Sequence, residues 1–204
     1  MPTEPSPFRR LHIPGQPFVI PNPWDVGSAK LLEAAGFKAL ATTSSGFAWT
    51  LGRKDGEASF DEKIAHCAAL VAATALPVSA DLEMGAGDSP ESAAETVRRA
   101  AAVGLAGCSL EDFTGDEADP IYDFALTAER VAAAVEAARA LDRDFVVTAR
   151  AENYLHGRPD LDDTLRRLET FAKIGADVIY APFLPDLDAL RAACGLGKPV
   201  NALV

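Results

Sequence analysis

The segment Val78–Gly87, with the sequence V-S-A-D-L-E-M-G-A-G, contains the clearest strand of this chain and indicates its fold class. Small and apolar residues predict a strand over Val78–Glu83, which ends at two carboxylates, Asp81 and Glu83, before a glycine-rich turn. Apolar strands without alternation are typical of parallel sheets that helices cover on both faces. Residues two apart on a strand point to the same face, so we expect Asp81 and Glu83 to point together.

The same unit, an apolar strand followed by an alanine-rich amphipathic helix, recurs along the chain. Six further runs resemble strands: Phe18–Pro21, Ala39–Ser44, Gly107–Asp112, Phe145–Ala151, Asp177–Pro182 and Pro199–Val204. Helices are predicted at residues 25–35, 61–75, 89–103, 127–141, 160–174 and 186–194. No G-x-G-x-x-G motif follows the first strand. The repetition therefore predicts an α/β fold, a (β/α)8 barrel of the TIM type rather than a doubly wound sheet.

The number of predicted strands is one short of a closed barrel. An open slot would expose two long strand edges, which is unfavourable, so we expect an eighth βα unit to be missing from this sequence. With 204 residues and 49% hydrophobic content, the chain can bury one substantial core. The predicted organisation is a single barrel domain over residues 1–204, incomplete at its C-terminal end.

Composition excludes several classes of partner. The formal net charge of −11 argues against nucleic acid and against anionic membrane surfaces. No apolar run reaches the length of a membrane span, and the N-terminal residues lack the apolar core of a signal peptide. The three cysteines are widely spaced and form no C-x-x-C pair, which fits a reducing compartment. We expect a cytoplasmic protein.

Charged residues collect where the predicted strands end, which is where barrel enzymes hold their active sites. Glu111 closes the strand after Asp81 and Glu83, and Arg150 closes the following one. Crowded carboxylates repel one another and need a cation, and oxygen ligands of this kind suit Mg²⁺, with Mn²⁺ as an alternative. Arg150 could then bind the carboxylate of a small acid. The competing interpretations are helix-capping acids in a solvated loop and an arginine that only steadies the barrel mouth.

Other strand ends offer candidates for substrate contacts. Ser45 and Gly46 could provide backbone N–H donors to an oxyanion, although S-S-G is also an ordinary turn sequence. Ser44 and Asn201 are further substrate-binding candidates at strand ends. No lysine ends a predicted strand, as a Schiff-base aldolase would require. There is also no H-x-H pair for a binuclear hydrolase and no serine–histidine–acid set.

Several motifs in order along the chain resemble the isocitrate lyase/phosphoenolpyruvate mutase superfamily from about residue 8 onwards. The matching segments read P-N-P-W-D-V-G-S-A-K-L-L-E-A-A-G-F, A-T-T-S-S-G-F-A-W-T-L-G-R-K-D-G-E, S-A-D-L-E-M-G-A-G, G-C-S-L-E-D, V-V-T-A-R-A-E-N-Y and K-P-V-N-A-L. The resemblance implies a Mg²⁺-dependent barrel that binds an α-oxo or α-hydroxy carboxylate and stabilises a pyruvate enolate. It also implies a homo-dimer or homo-tetramer that exchanges the last helix.

The resemblance assigns roles to individual residues. Asp81 would ligate Mg²⁺ directly, and Asp55, Glu83 and Glu111 would act largely through bound waters. Ser45 and Gly46 would hold the substrate carboxylate or the enolate oxygen, and Arg150 would reach the carboxylate.

The chain departs from the family pattern in the loop after the fourth predicted strand. Lyases that cleave isocitrate or methylisocitrate carry K-[KR]-C-G-H there, and phosphoenolpyruvate mutases carry lysine and asparagine. Here the loop reads D-F-T-G-D-E-A-D-P-I-Y-D. It is acidic, which disfavours a phosphonate or a tricarboxylate beside it, and we expect it to be open or poorly ordered without ligand.

The leading hypothesis is a Mg²⁺-dependent lyase or decarboxylase for a small α-oxo or α-hydroxy dicarboxylate, with a pyruvate-enolate intermediate. Tyr122, Asp123 or Tyr180 could supply the proton, and the sequence does not choose among them. Two alternatives remain open: P–C chemistry of the phosphonopyruvate hydrolase or phosphoenolpyruvate mutase type, and a non-catalytic barrel that binds a small acid.

Overall fold

The computed structural model describes residues 4–203, so Val204, the last residue of the predicted seventh strand, lies outside the described residues. Six strands are present: β1 (Leu40–Ala41), β2 (Val78–Asp81), β3 (Gly107–Glu111), β4 (Val146–Arg150), β5 (Val178–Tyr180) and β6 (Val200–Asn201). The α-helices are α1 (Val26–Ala34), α2 (Ser44–Thr50), α3 (Phe60–Ala73), α4 (Pro90–Ala102), α5 (Phe124–Arg139), α6 (Leu161–Ile174) and α7 (Leu187–Cys194). A short 3-10 helix covers Arg9–Leu11.

The six strands form one parallel sheet in the order β1-β2-β3-β4-β5-β6. Each strand therefore pairs with its neighbour in sequence, and the order never reverses. A doubly wound sheet would reverse its order at a switch point, whereas a barrel adds strands consecutively. The parallel α/β class is confirmed, and the consecutive order agrees with the barrel type. Among the described residues the sheet is open, with β1 and β6 at its edges.

Three local predictions were wrong. Phe18–Pro21 is not a strand, because Pro17, Pro21 and Pro23 lack N–H donors; the segment still accepts one hydrogen bond, from the Ala41 amide to the Pro21 carbonyl at 3.1 Å. Ala39–Ser44 stops early, and an unpredicted helix α2 begins at Ser44. Helix α5 begins at Phe124 rather than at Thr127, because the Asp123 carboxylate accepts N–H bonds from its first turn.

The interior lies between the sheet and the surrounding helices. Its largest fully buried residues include Leu82, Leu105, Phe145, Leu168 and Phe171. Alanines line the buried faces of α4 and α5, which lets these two helices approach each other closely. None of the helices in the described region has the length and apolar character required to cross a bilayer.

A buried ion pair connects α6 to the end of β3. Arg167 donates through Nη1 to Asp112 Oδ2 at 3.0 Å and to the Tyr122 carbonyl at 3.1 Å, and through Nε to Asp163 Oδ2 at 2.7 Å. Asp112 accepts the Glu152 amide at 2.8 Å through its other oxygen. Burial raises the pKa of Asp112, and Arg167 opposes that rise. The pair therefore fixes the chain beyond β3 and beyond β4.

Replacing Arg167 with methionine should leave the Asp112 carboxylate buried and uncompensated. We expect Arg167→Met to lower the free energy of unfolding by about 3 kcal/mol, because removal of one member of a buried ion pair strands the other charge. Arg191→Met is the matched control, since Arg191 is exposed and pairs with the exposed Asp188; it should change stability by less than about 0.5 kcal/mol. Urea unfolding measures both, and equal effects would contradict the assignment.

Candidate active site

The strand register brings polar side chains into one row at the carboxyl ends of the strands. Glu111 of β3 stands opposite Arg150 of β4, Arg150 opposite Tyr180 of β5, and Tyr180 opposite Asn201 of β6. Asp81 ends β2 two residues lower in the register, opposite Ser109. The sheet itself therefore collects these residues at one rim, which is the catalytic face of barrel enzymes.

Arg150 lies at the centre of three carboxylates. Its Nε donates to Glu152 Oε1 and lies 3.6 Å from Glu111 Oε2, and its Nη1 lies 3.6 Å from Asp81 Oδ1. The guanidinium carbon is 4.9 Å from the centre of the Tyr180 ring, which adds a cation–π contact. Arg150 thus links the ends of β2, β3 and β4, and its guanidinium is the cation that these three carboxylates share.

The carboxylates outnumber that cation. Burial raises the pKa of Glu111 well above its usual value, and repulsion from Glu152 and Asp81 adds to the rise. Burial also raises the pKa of Glu152 to about 7, and Glu152 Oε2 has no hydrogen-bond partner. Burial would lower the pKa of Arg150, but the three carboxylates outweigh that effect and raise it. Three carboxylates around one guanidinium leave a formal charge of −2 when all are ionised.

Asp81 is held in place from two sides. Ser44 donates to Asp81 Oδ2 through both its amide (3.2 Å) and its hydroxyl (3.0 Å). The Asp81 amide donates to the hydroxyl of Thr42, just beyond β1, at 2.9 Å. Ser44, a candidate for substrate contact, therefore supports Asp81, because the first turn of α2 lies against the end of β2.

Glu83 is placed by a turn and not by strand alternation, so the expected strand geometry was wrong. Strand β2 stops at Asp81, and Glu83 has a left-handed backbone with φ of 53°. Its carboxylate forms an ion pair with Lys63 of α3, with Nζ and Oε2 2.5 Å apart. Burial raises the pKa of Glu83, whereas Lys63 lowers it. The Glu83 amide still points to Asp81 Oδ1 at 3.4 Å, so the two acids are neighbours.

The remaining candidates are only partly brought together. Asp55 is exposed in the loop before α3, and its connection to the cluster is an electrostatic repulsion that raises the pKa of Glu83. Gly46 uses its amide to cap α2, donating to Thr43 Oγ1 at 3.3 Å. Ser45 lies in the same first turn, with its hydroxyl 3.1 Å from Thr43 Oγ1.

The residues present fit a hard divalent cation. Mg²⁺ is usually bound by one or two carboxylates and keeps several waters, which matches Asp81 and Glu111 beside a local charge of −2. Within residues 4–203 no three Asp, Glu, His or Cys side chains form a ready-made ligand set. The reason is visible in the geometry, since Arg150 stands between the carboxylates.

Two residues with clear contacts in this site were not among the predicted site residues. Glu152 could have been found from the sequence, because it follows Arg150 at the two-residue spacing of one strand face. Lys63 carries no such signal: it lies on a helix, 20 residues before its partner. Only the packing of α3 against the end of β2 brings it to Glu83.

The loop after β3 is more ordered than expected. Phe113 and Ile121 form an antiparallel bridge, and the Thr114 amide donates to the Pro120 carbonyl at 2.8 Å. Phe113 stacks on His156 with ring centres 3.7 Å apart, and His156 Nδ1 lies 3.3 Å from Glu117. The acidic loop is thereby fixed to the segment after β4, beside Glu152.

Comparison with known proteins agrees with this geometry. The family model described as phosphoenolpyruvate phosphomutase matches residues 8–204. The chain belongs to the isocitrate lyase/phosphoenolpyruvate mutase superfamily. An uncharacterised superfamily relative from Mycobacterium tuberculosis is 34% identical over 198 residues, covering 96% of this chain and 73% of that protein.

Solved structures extend the likeness. A Burkholderia cenocepacia J2315 protein described as a lyase/mutase is 54% identical to this chain, with a TM-score of 0.93. The match covers 96% of this chain and 70% of that one. 2,3-Dimethylmalate lyase, a superfamily member, is 27% identical with a TM-score of 0.87, over 99% and 72% of the two chains.

Other superfamily relatives carry related lyase and hydrolase names. A probable 2-methylisocitrate lyase from Corynebacterium glutamicum is 30% identical over 89% of this chain and 61% of its own length. Oxaloacetate acetylhydrolase, solved with 3,3-difluorooxalacetate, is 25% identical with a TM-score of 0.85, over 96% and 69%. The relatives that carry enzyme names are thus lyases, a lyase/mutase and a hydrolase.

The packing around Gly46 leads to a test of why the S-S-G segment ends in glycine. A Cβ at this position would come within 2.5 Å of Trp24 Cδ1 and 2.6 Å of Thr43 Cγ2. We expect Gly46→Ala to lower the free energy of unfolding by about 2 kcal/mol, a cost typical of overpacking. In a Trp24→Ala background the same change should cost clearly less, measured by urea unfolding. Equal costs in both backgrounds would show that Trp24 is not the constraint.

Proposed function

We propose that this chain is a Mg²⁺-dependent lyase or decarboxylase that acts on a small α-oxo or α-hydroxy dicarboxylate. Loss of CO₂ from an α-oxo substrate such as oxaloacetate would leave a pyruvate enolate. Cleavage of the C2–C3 bond of an α-hydroxy substrate would release an α-oxo acid and leave the enolate on the departing carboxylic acid, which then takes up a proton. The observation that carries the proposal is the position of Arg150 among Asp81, Glu111 and Glu152 at three consecutive strand ends. Superfamily membership supports the reaction type, because the named relatives act on methylisocitrate, dimethylmalate and oxaloacetate.

Asp81 and Glu111 would hold the cation, with Glu83 and Asp55 acting at longer range through water. When bound, Mg²⁺ acts as a Lewis acid that polarises the α-oxygen and stabilises the enolate charge. Arg150 would bind the substrate carboxylate with its remaining N–H donors, since a guanidinium matches a carboxylate in a bidentate manner. Glu152 would keep the guanidinium plane in position by its bond to Nε.

The enolate would also need a hydrogen-bond donor and a proton source. The Ser45 amide, in the first turn of α2, is the better donor candidate, because Gly46 already uses its amide for the cap. Tyr180 is the proton source closest to the cluster, beside Arg150, and burial raises the pKa of its phenol. Tyr122 donates to Asp88, and Asp123 caps α5, so both are engaged elsewhere.

The loop after β3 favours a short substrate. It carries neither the cysteine nor the histidine that would serve isocitrate cleavage, and its acidic Glu117 is tied through His156 to the rim. A third carboxylate or a phosphonate at this position would meet like charge. P–C chemistry is therefore the less favoured alternative.

The proposal includes the complete barrel and its assembly. The consecutive parallel order of β1 to β6 supports a closed eight-unit barrel, in which β1 and β6 would no longer be open edges. A homo-dimer or homo-tetramer remains the expected assembly.

A substrate panel tests the proposed reaction. With Mg²⁺ present, we expect release of pyruvate or a closely related α-oxo acid from oxaloacetate or from substituted malates, and none from isocitrate or 2-methylisocitrate. Chelation by EDTA should abolish turnover. A coupled assay with lactate dehydrogenase follows pyruvate, and phosphate release from phosphonopyruvate follows the alternative. Efficient cleavage of isocitrate or 2-methylisocitrate, or turnover of phosphonopyruvate alone, would contradict the proposal.

Carboxylate variants test the metal site. Asp81→Asn should lower kcat/KM by about 10³-fold, because a directly bound ligand loses its charge. Glu83→Gln should lower it less, and the exposed Asp55→Asn least, since water-mediated ligands are more replaceable. Turnover and Mg²⁺ affinity should fall in the same order. Wild-type turnover by Asp81→Asn would show that the metal lies elsewhere.

A further inference from the structure

We propose that Lys63 is a positioning residue of this site, which holds Glu83 and cancels its charge, so that the cluster around Arg150 is matched to one divalent cation and still admits an anionic substrate. This inference rests on the proposed function, because it assumes a metal-assisted site for a small acid. It concerns a helix residue that stands outside the row of strand-end side chains.

The burial of Lys63 is the first observation. Lys63 is 7% exposed and lies on the face of α3 that also buries Ile64, Cys67 and Leu70 in the core. A lysine is almost never so buried unless its ammonium group is paired. The partner is the Glu83 carboxylate, at 2.5 Å, whose side chain is itself only 16% exposed. Helix α3 therefore places the Lys63 ammonium group beside the rim, on the side of the helix layer.

The backbone at Glu83 is the second observation. Its left-handed conformation is unfavourable for a residue with a Cβ and persists only where the surroundings impose it. The turn is fixed by the Glu83 carbonyl, which accepts the Glu111 amide at 3.1 Å, and by the Gly85 amide, which donates to the Leu82 carbonyl at 2.9 Å. In this conformation the Glu83 carboxylate reaches Lys63, while its amide stays near Asp81.

The Lys63–Glu83 ion pair affects the net charge of the site. When all three carboxylates are ionised, as metal binding favours, Asp81, Glu111 and Glu152 around Arg150 carry a formal charge of −2, and the Lys63–Glu83 pair adds none. Glu83 adjoins the cluster directly, because its amide lies 3.4 Å from Asp81 Oδ1 and its carbonyl accepts the Glu111 amide at 3.1 Å. Without Lys63 the site would carry −3, which favours a cation and repels an incoming anion.

Metal and anion binding can be measured without turnover. Mn²⁺ binding to the protein alone, followed by electron paramagnetic resonance, reports the cation, and calorimetric titration of the Mn²⁺-loaded protein with oxalate reports the anion. We expect Lys63→Met to bind Mn²⁺ at least as tightly as the parent and oxalate about tenfold more weakly. Lys63→Arg should stay within about threefold of the parent for both.

The double variant is the decisive measurement. Glu83→Gln leaves Lys63 unpaired and should weaken Mn²⁺ binding about tenfold, whereas Lys63→Met/Glu83→Gln restores the charge of −2 and should recover both affinities to within about threefold. Lys173→Met makes the same chemical change at an exposed surface pair and should alter neither affinity. Thermal unfolding shows whether each variant folds. If Lys63→Met does not fold, the comparison of Lys63→Arg and the double variant with the parent still decides the test.

The outcomes separate the two proposals. If the parent binds no Mn²⁺, the proposed function is wrong and the role of Lys63 falls with it. If the parent binds Mn²⁺ and oxalate but Lys63→Met does the same, or the double variant recovers neither affinity, only the role assigned to Lys63 is overturned.

Discussion

An excess of buried negative charge around Arg150 is the constraint on which the site depends. Parallel register sets Glu111 directly beside Arg150, and the end of β2 adds Asp81. Carboxylates at this depth are unstable without compensation, and one guanidinium compensates only in part. In the proposed function, a divalent cation at the rim would supply the missing positive charge.

The scaffold around the cluster limits how it can relax. Arg167 of α6 donates to Asp112, Asp112 accepts the Glu152 amide, and Glu152 accepts from the Arg150 guanidinium. This series of hydrogen bonds links helix α6 to the position of Arg150. Ser44 holds Asp81 from the other side. Because each residue in this series is hydrogen-bonded to the next, the carboxylates are kept close to one another.

The loop after β3 separates reaction type from substrate choice. The strand ends carry the features shared with the superfamily, whereas the loop carries an acidic sequence without cysteine. Its antiparallel pairing and its stacking on His156 fix that acidity beside Glu152. In the proposed function, the strand ends would set the chemistry of the site and this loop would limit the size and charge of the substrate.

The sequence by itself determined the parallel α/β class, the superfamily, and the placement of Asp81, Glu111 and Arg150 at strand ends, because strand patterns are local and parallel strands share one carboxyl edge. It misplaced Glu83, since a left-handed turn leaves no periodic signal, and it overstated a proline-bounded strand at Phe18–Pro21. Only the tertiary structure decided that Arg150 stands between the acids and that Lys63 pairs with Glu83. Those contacts join elements far apart in the chain: the sheet register brings Arg150 to the acids, and the packing of α3 against the end of β2 brings Lys63 to Glu83.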